Sequence, residues 1–202
     1  MIIYTIHPVN PQRRLLEAVV KILRNENGIA IYPTDTVYGL GASVSNLKAL
    51  DRISQILHKD KTRLFSFICS DFSQVSNYVR VSNAHFKLMK RYLPGPYTFI
   101  LPATNLVPKR ICPKRKTVGV RIPANRIVLD LVTLLGEPLA NTSVDLPGDL
   151  RGDPEEIREV MSYDVEVMLD AGLLEDPVGS TIVDLTTDFP EVVRLGKGAW
   201  NE

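Results

Sequence analysis

Short apolar runs of strand length alternate with amphipathic helical segments along the whole chain, and that alternation restricts it to an α/β fold. Residues 1–6 predict a first strand. Asn10-Pro11 predicts a helix start, with Asn capping and Pro at the first helical position, where no amide hydrogen is needed. Leu15, Leu16, Val19, Ile22 and Leu23 then form one apolar face before Gly28. Ile29-Ala30-Ile31-Tyr32 has the length of a buried strand, and residues 33–41 follow it as a polar loop. Asn46 is placed to cap a helix carrying Leu47, Leu50, Ile53, Ile56 and Leu57. Further strands are expected at 64–69, 97–101, 117–122, 138–140, 165–169, 180–185 and 192–194. Helices are expected over 70–78, 82–93 and 125–135, the last stopping at Gly136, and from Asp153-Pro154 onward. No repeat or linker interrupts the pattern, so the 202 residues are read as one domain built on a twisted, mixed sheet.

Composition removes several classes of function. No apolar stretch approaches the roughly 20 residues that cross a bilayer, and the first residues lack the pattern of a signal peptide. Two cysteines, Cys69 and Cys112, do not make a disulfide framework, which fits a reducing, cytoplasmic setting. His7, His58 and His85 lie far from one another and from any cysteine pair, so no protein-bound metal site is expected. Cys69, at the end of an apolar run, reads as a small buried hydrophobe. The net charge of +1 conceals an asymmetry. Lys109, Arg110, Lys114, Arg115, Lys116, Arg121 and Arg126 follow one another with no acid between, whereas acids dominate from Asp145 to Glu191. Such a run is either a solvated face or a surface for a polyanion, nucleotide phosphates or an RNA backbone.

Candidate chemistry lies in polar segments at strand ends. Neither a GxGxxG fingerprint, a GxxxxGK phosphate loop nor a GxSxG elbow occurs. Thr34, Asp35, Thr36 and Tyr38 follow one strand. Thr117 and Arg121 lie four apart on another, hence on one face. Asn141, Thr142, Ser143 and Asp145 follow a third, and Ser180 and Thr181 open a fourth. Ligands in open α/β sheets collect at strand ends, so these segments can line one cleft. Hydroxyls suit a small polar substrate, and an arginine suits a carboxylate or phosphate.

The spelling and order of these segments resemble a known family. Pro-Thr-Asp-Thr-Val-Tyr-Gly-Leu-Gly-Ala (33–42), Pro-Gly-Pro-Tyr-Thr (94–98), Val-Gly-Val-Arg-Ile-Pro (118–123), Ser143-Val144-Asp145, Ser180-Thr181-Ile182-Val183-Asp184 and Arg194-Leu195-Gly196 are similar to motifs of the YrdC-like family, in order along nearly the whole chain. The resemblance implies a single YrdC-like domain, a twisted open α/β sheet with a large concave cleft. It also implies the chemistry of threonylcarbamoyl-AMP synthases, which combine ATP, bicarbonate and L-threonine into an adenylate used to modify adenosine in tRNA. Carried over by position, Thr34, Arg121 and Ser180 fall at contacts to L-threonine, and Thr117, Ser143 and Arg194 at contacts to ATP. Magnesium is expected to arrive with the ATP phosphates. Transfer RNA or double-stranded RNA, and accessory tRNA-modification proteins, are the implied partners, with Lys109, Arg110, Lys114, Arg115 and Lys116 as the RNA-facing cations.

Three departures from the synthase pattern stand out. Ungapped alignment places Leu57 and Lys59 at the family's Lys-x-Arg, while a literal Lys61-Thr62-Arg63 lies four residues on, about one helical turn away. The cations are therefore either reduced to Lys59 or displaced to Lys61 and Arg63. The family's Ser-x-Asn reads Ser143-Val144-Asp145, replacing an amide that donates with a carboxylate that does not when ionised. A histidine that usually ends the next strand is absent from Phe67-Ile68-Cys69. Together with Ile6-His7-Pro8-Val9-Asn10-Pro11-Gln12 at the start, these point to the YciO branch. Three readings follow: the synthase reaction with Lys59, Lys61, Arg63 and Asp145 at its centre; a hydrolase of the same adenylate, with Asp145 orienting a water; and a non-catalytic RNA-binding module.

Overall fold

The structure, a computed structural model, describes residues 1–57, 65–109, 111, 116–144 and 151–201. Among these residues ten strands and six helices follow in the order β1 (Ile2–Thr5), α1 (Arg13–Leu23), β2 (Ala30–Tyr32), β3 (Gly39–Ser43), α2 (Leu47–Ile56), β4 (Ser66–Ile68), α3 (Phe72–Tyr78), α4 (Asn83–Tyr92), β5 (Tyr97–Pro102), β6 (Thr117–Arg121), α5 (Arg126–Leu135), β7 (Leu139–Ser143), α6 (Pro154–Met161), β8 (Val167–Asp170), β9 (Thr181–Asp184) and β10 (Glu191–Arg194). The strands form one open sheet in the order β1-β8-β2-β3-β7-β4-β6-β5-β9-β10. It is mixed: β1, β8 and β2 run parallel, as do β4 with β6 and β5 with β9, and the remaining pairs are antiparallel.

Most helix starts are dictated locally. Asn46, Asp71, Ser82, Asn125 and Asp153 each accept a bond from an amide of the first turn, satisfying donors that the helix cannot. Pro154 occupies the first helical position of α6, and Gly136 ends α5 in the left-handed conformation. The exception is α1, which starts at Arg13 rather than behind Asn10. There the His7 ring nitrogen Nδ1 accepts from the amides of Val9 and Asn10, and Gln12 Oε1 takes the amide of His7. That closed turn holds residues 7–12 outside the helix.

The largest difference from the sequence reading is β3. Gly39-Leu40-Gly41-Ala42-Ser43 is a fully buried central strand, not the end of a polar loop. It pairs with β2 on one side and β7 on the other. The strand expected at 138–140 is also longer: β7 runs to Ser143, placing Asn141, Thr142 and Ser143 within the sheet.

Two apolar layers sandwich the sheet unequally. One face packs a core that includes Phe67, Phe99, Leu101, Val118, Val120 and Val183, closed by residues of α2, α4 and α6. On the opposite face α1 and α5 pack together, burying Leu16, Val19, Val20 and Leu23 against Ile127, Val128, Leu131, Val132 and Leu135. Full burial of such side chains is worth about 1.5–3 kcal/mol each relative to exposure. This second core reaches Tyr32, Ile68, Leu139, Val167 and Leu169 but includes no residue of β5, β6, β9 or β10. The two helices therefore cover only half of their face. Among the described residues no helix is long and apolar enough to cross a membrane.

Candidate functional site

The half left uncovered is where the polar strand residues lie. Side chains alternate across a strand, so the residues between the buried Phe67, Phe99, Val118, Val120 and Val183 must face the other way. They are Ser66, Thr98, Ile100, Thr117, Gly119 and Ile182, and all but Thr98, which is buried, are half-buried. Ser66 stands opposite Gly119 on one side and Asn141 on the other, so a row of small and polar groups crosses the sheet. A Cβ on Gly119 would lie 2.9 Å from Thr98 Cγ2 and 3.5 Å from Ser66 Cβ. Absence of a side chain there keeps the floor low.

Arg121 marks the border between the covered and open halves. It is 5% exposed, and its Nη2 donates to Asp35 Oδ1 at 2.7 Å and to Thr36 Oγ1 at 3.1 Å. Asp35, 10% exposed, uses Oδ2 to accept the amide of Ala124 at 2.9 Å. Arg121 Nε is buried without a partner among the described residues. Burial lowers the Arg121 pKa, Asp35 opposes that shift, and Arg194 adds a small lowering by repulsion. A buried charge persists only when paired, and here the partner is a carboxylate from the loop after β2.

A second group holds the far end of the floor. Ser180 Oγ lies 2.8 Å from Thr98 Oγ1, and Arg194 reaches back from β10 to donate through Nε at 3.2 Å and Nη2 at 2.7 Å to the Ser180 carbonyl. Gly179 makes that approach possible, since a Cβ there would stand 3.2 Å from Arg194 Nη2. Burial and then the charge of Arg151 lower the Arg194 pKa. Arg194 thus feels the charge of Arg151 and in turn acts on Arg121.

A third group fixes Asn141. Tyr32 Oη donates to Asn141 Oδ1 at 2.9 Å, which sets the amide so that Nδ2 faces Ser66 Oγ at 3.4 Å. Burial pushes the Tyr32 phenol far up, so its proton stays available for that bond. The ring lies across Gly39 and Gly41, where a Cβ would press on the Asn141 carbonyl group and the Tyr32 hydroxyl respectively.

The structure therefore brings together Thr34, Arg121, Ser180, Thr117, Ser143 and Arg194 on or beside one face. Thr34 is 3% exposed inside the loop, Thr117 is half-buried on β6, and Ser143 is exposed at the end of β7. Lys59, Lys61, Arg63 and Asp145 lie outside the described residues, as do Arg110, Lys114 and Arg115. Leu57 is the C-cap of α2 and packs on the core. Of the basic run, Lys109 and Lys116 are exposed, Arg126 pairs with Asp130 at 2.7 Å, and Arg121 points inward. Cys69 is wholly buried, and burial raises its thiol pKa. No cluster of three or more metal-ligating side chains occurs among the described residues.

Asp35, Thr36 and Asn141 belong to polar segments visible in the sequence, but their roles are set by partners far along the chain. Ser66, Thr98 and Gly119 carry a weaker signal, a polar or small residue at every second position of an otherwise apolar strand.

A half-covered open sheet, with hydroxyls along its floor and guanidinium groups at its ends, defines an α/β protein equipped to hold a small anionic ligand. The chain belongs to the Sua5, YciO and YrdC family, whose model, described as telomere recombination, matches residues 22–196. It is 42% identical to YciO of Escherichia coli K12 over 198 residues, which cover 96% of this chain and 95% of that one. The crystal structure of E. coli YciO superposes with a TM-score of 0.91 over 98% of both chains. A threonylcarbamoyl-AMP synthase of Pyrococcus abyssi is 30% identical over 93% of this chain and 57% of its own. The structure of P. abyssi Sua5 complexed with L-threonine has a TM-score of 0.89, at 29% identity over 97% of this chain and 58% of that one. Family and fold are thus those shared by YciO and the threonylcarbamoyl-AMP synthases.

Proposed function

We propose that this chain is a nucleotide-binding enzyme of the threonylcarbamoyl-AMP synthase type, in one domain spanning residues 1–202. The observation that carries the reading is the placement of Arg121 and Arg194 beside a floor of hydroxyls and small side chains, Arg194 on the Ser180 carbonyl and Ser180 on Thr98. In this reading Arg121 anchors the carboxylate of L-threonine, with the Thr34 loop as a wall and Ser180 alongside. Thr117, Ser143 and Arg194 hold the nucleotide. ATP enters as substrate, with magnesium on its phosphates. The relative solved with L-threonine supports the amino acid chosen. Catalysis is then largely positioning, with guanidinium charge opposing the negative charge that develops as pyrophosphate leaves. Lys59, Lys61, Arg63 and Asp145 complete the proposed centre. Transfer RNA is the proposed downstream partner, and Lys109 and Lys116 are its proposed contacts on the described surface, in a cytoplasmic setting.

Arg194 provides the test of the nucleotide half. A charge-assisted bond to phosphate is worth about 1.5–3 kcal/mol, so Arg194→Ala is expected to weaken ATP binding about 10- to 100-fold in a calorimetric titration. Equal affinity for ATP in the variant and the parent protein would place the nucleotide elsewhere.

A further inference from the structure

The loop after β2 contains a hydrogen-bond chain whose direction is fixed by its ends. Arginine can only donate, and a carbonyl can only accept. Arg121 Nη2 donates to Thr36 Oγ1 at 3.1 Å, Thr36 Oγ1 lies 3.0 Å from Thr34 Oγ1, and the Thr34 hydroxyl donates to the Val37 carbonyl at 2.6 Å. With its own proton committed to Val37, Thr34 must receive from the Thr36 hydroxyl, and it also accepts the Thr36 amide at 3.1 Å. One donor and two lone pairs are then all engaged within the loop. Both residues are buried, Thr34 at 3% and Thr36 at 1% exposure.

We propose that Thr36 is a positioning residue for Arg121, with Thr34 as the second link of this relay. The relay and Asp35 engage the same nitrogen from two directions, which fixes the plane of the guanidinium. Nη2 is thus engaged twice, and Nε is enclosed without a partner among the described residues. A hydroxyl pair at 34 and 36 thereby tunes specificity at one remove: it decides the angle at which the cation is offered. That consequence for a ligand rests on the reading of Arg121 as the carboxylate anchor, whereas the relay itself does not.

The test uses the full chain and two readouts. Rotation about the Arg121 Cζ–Nη2 bond is followed by nitrogen-15 exchange spectroscopy without ligand, the signal being assigned by its loss in Arg121→Lys. L-threonine affinity is measured by titration. Thr36→Val, which matches the shape but lacks the hydroxyl, is expected to speed the rotation about tenfold and weaken L-threonine binding about tenfold. Thr36→Ser is expected to restore both. Thr34→Val cuts the chain one link away and should shift both in the same direction by less; it serves where valine at 36 does not fold. Unchanged rotation in both valine variants overturns the relay. Faster rotation in a protein that binds no L-threonine keeps the relay and removes the threonine reading.

Discussion

Replacing Arg121 by leucine is expected to lower stability by about 3–5 kcal/mol, because it strands the buried carboxylate of Asp35 without its cation. The magnitude follows from the burial of both partners and their 2.7 Å contact, which leaves little solvent to screen the remaining charge. Adding Asp35→Asn should recover about 2 kcal/mol of that loss. The second change removes the uncompensated charge, while an amide oxygen still accepts the proton of Ala124. Asp35→Asn alone should also be costly, since its single amide oxygen can replace only one of the two carboxylate acceptors and the buried Arg121 charge loses its counter-ion. Urea unfolding of the four proteins closes this cycle. Losses that simply add would mean that the pair contributes nothing as a pair.

Gly41→Ala is the second substitution expected to act strongly, at about 1–3 kcal/mol, as overpacking of a closed core does. Its Cβ would press on Tyr32 Oη and lie 2.8 Å from the carbonyl oxygen of Ala140. Tyr32 has nowhere to move, being wholly buried with its ring on Gly39 and its hydroxyl on Asn141. Tyr32→Phe removes the obstructing oxygen, so Gly41→Ala should cost less in that background than in the parent protein. Thermal unfolding of both pairs reads this coupling. An equal cost in the two backgrounds would place the strain at the Ala140 carbonyl instead, and the tyrosine would not be what keeps position 41 a glycine.

These two sites also show what could be read from the chain and what could not. The helices were legible because their causes are local: Asn46, Ser82, Asn125 and Asp153 cap amides within three residues, and the apolar spacing of α5 needs only its own segment. The strand β3 was not, because Gly39 and Gly41 leave no alternation to detect. Their small size answers to Tyr32 lying across them, a contact decided by the sheet order. Asp35 and Arg121 were each visible as polar residues at strand ends, yet their pairing joins positions 86 apart. The shared face of Thr117 and Arg121 was readable from the period of a strand alone, and β6 carries both. Thr34 was legible by resemblance as a substrate contact, whereas the relay that engages its hydroxyl depends on three-dimensional partners.

The most direct test of the proposed activity is turnover by the purified chain. ATP, bicarbonate and L-threonine are supplied in one reaction and preformed threonylcarbamoyl-AMP in a second, with pyrophosphate and adenylate followed in both. The account predicts pyrophosphate release that requires threonine, with adenylate accumulating in the first reaction and persisting in the second. Loss of the supplied adenylate without synthesis would contradict it in favour of a hydrolase, and no chemistry in either reaction would leave the cleft a binding surface, with RNA as its partner.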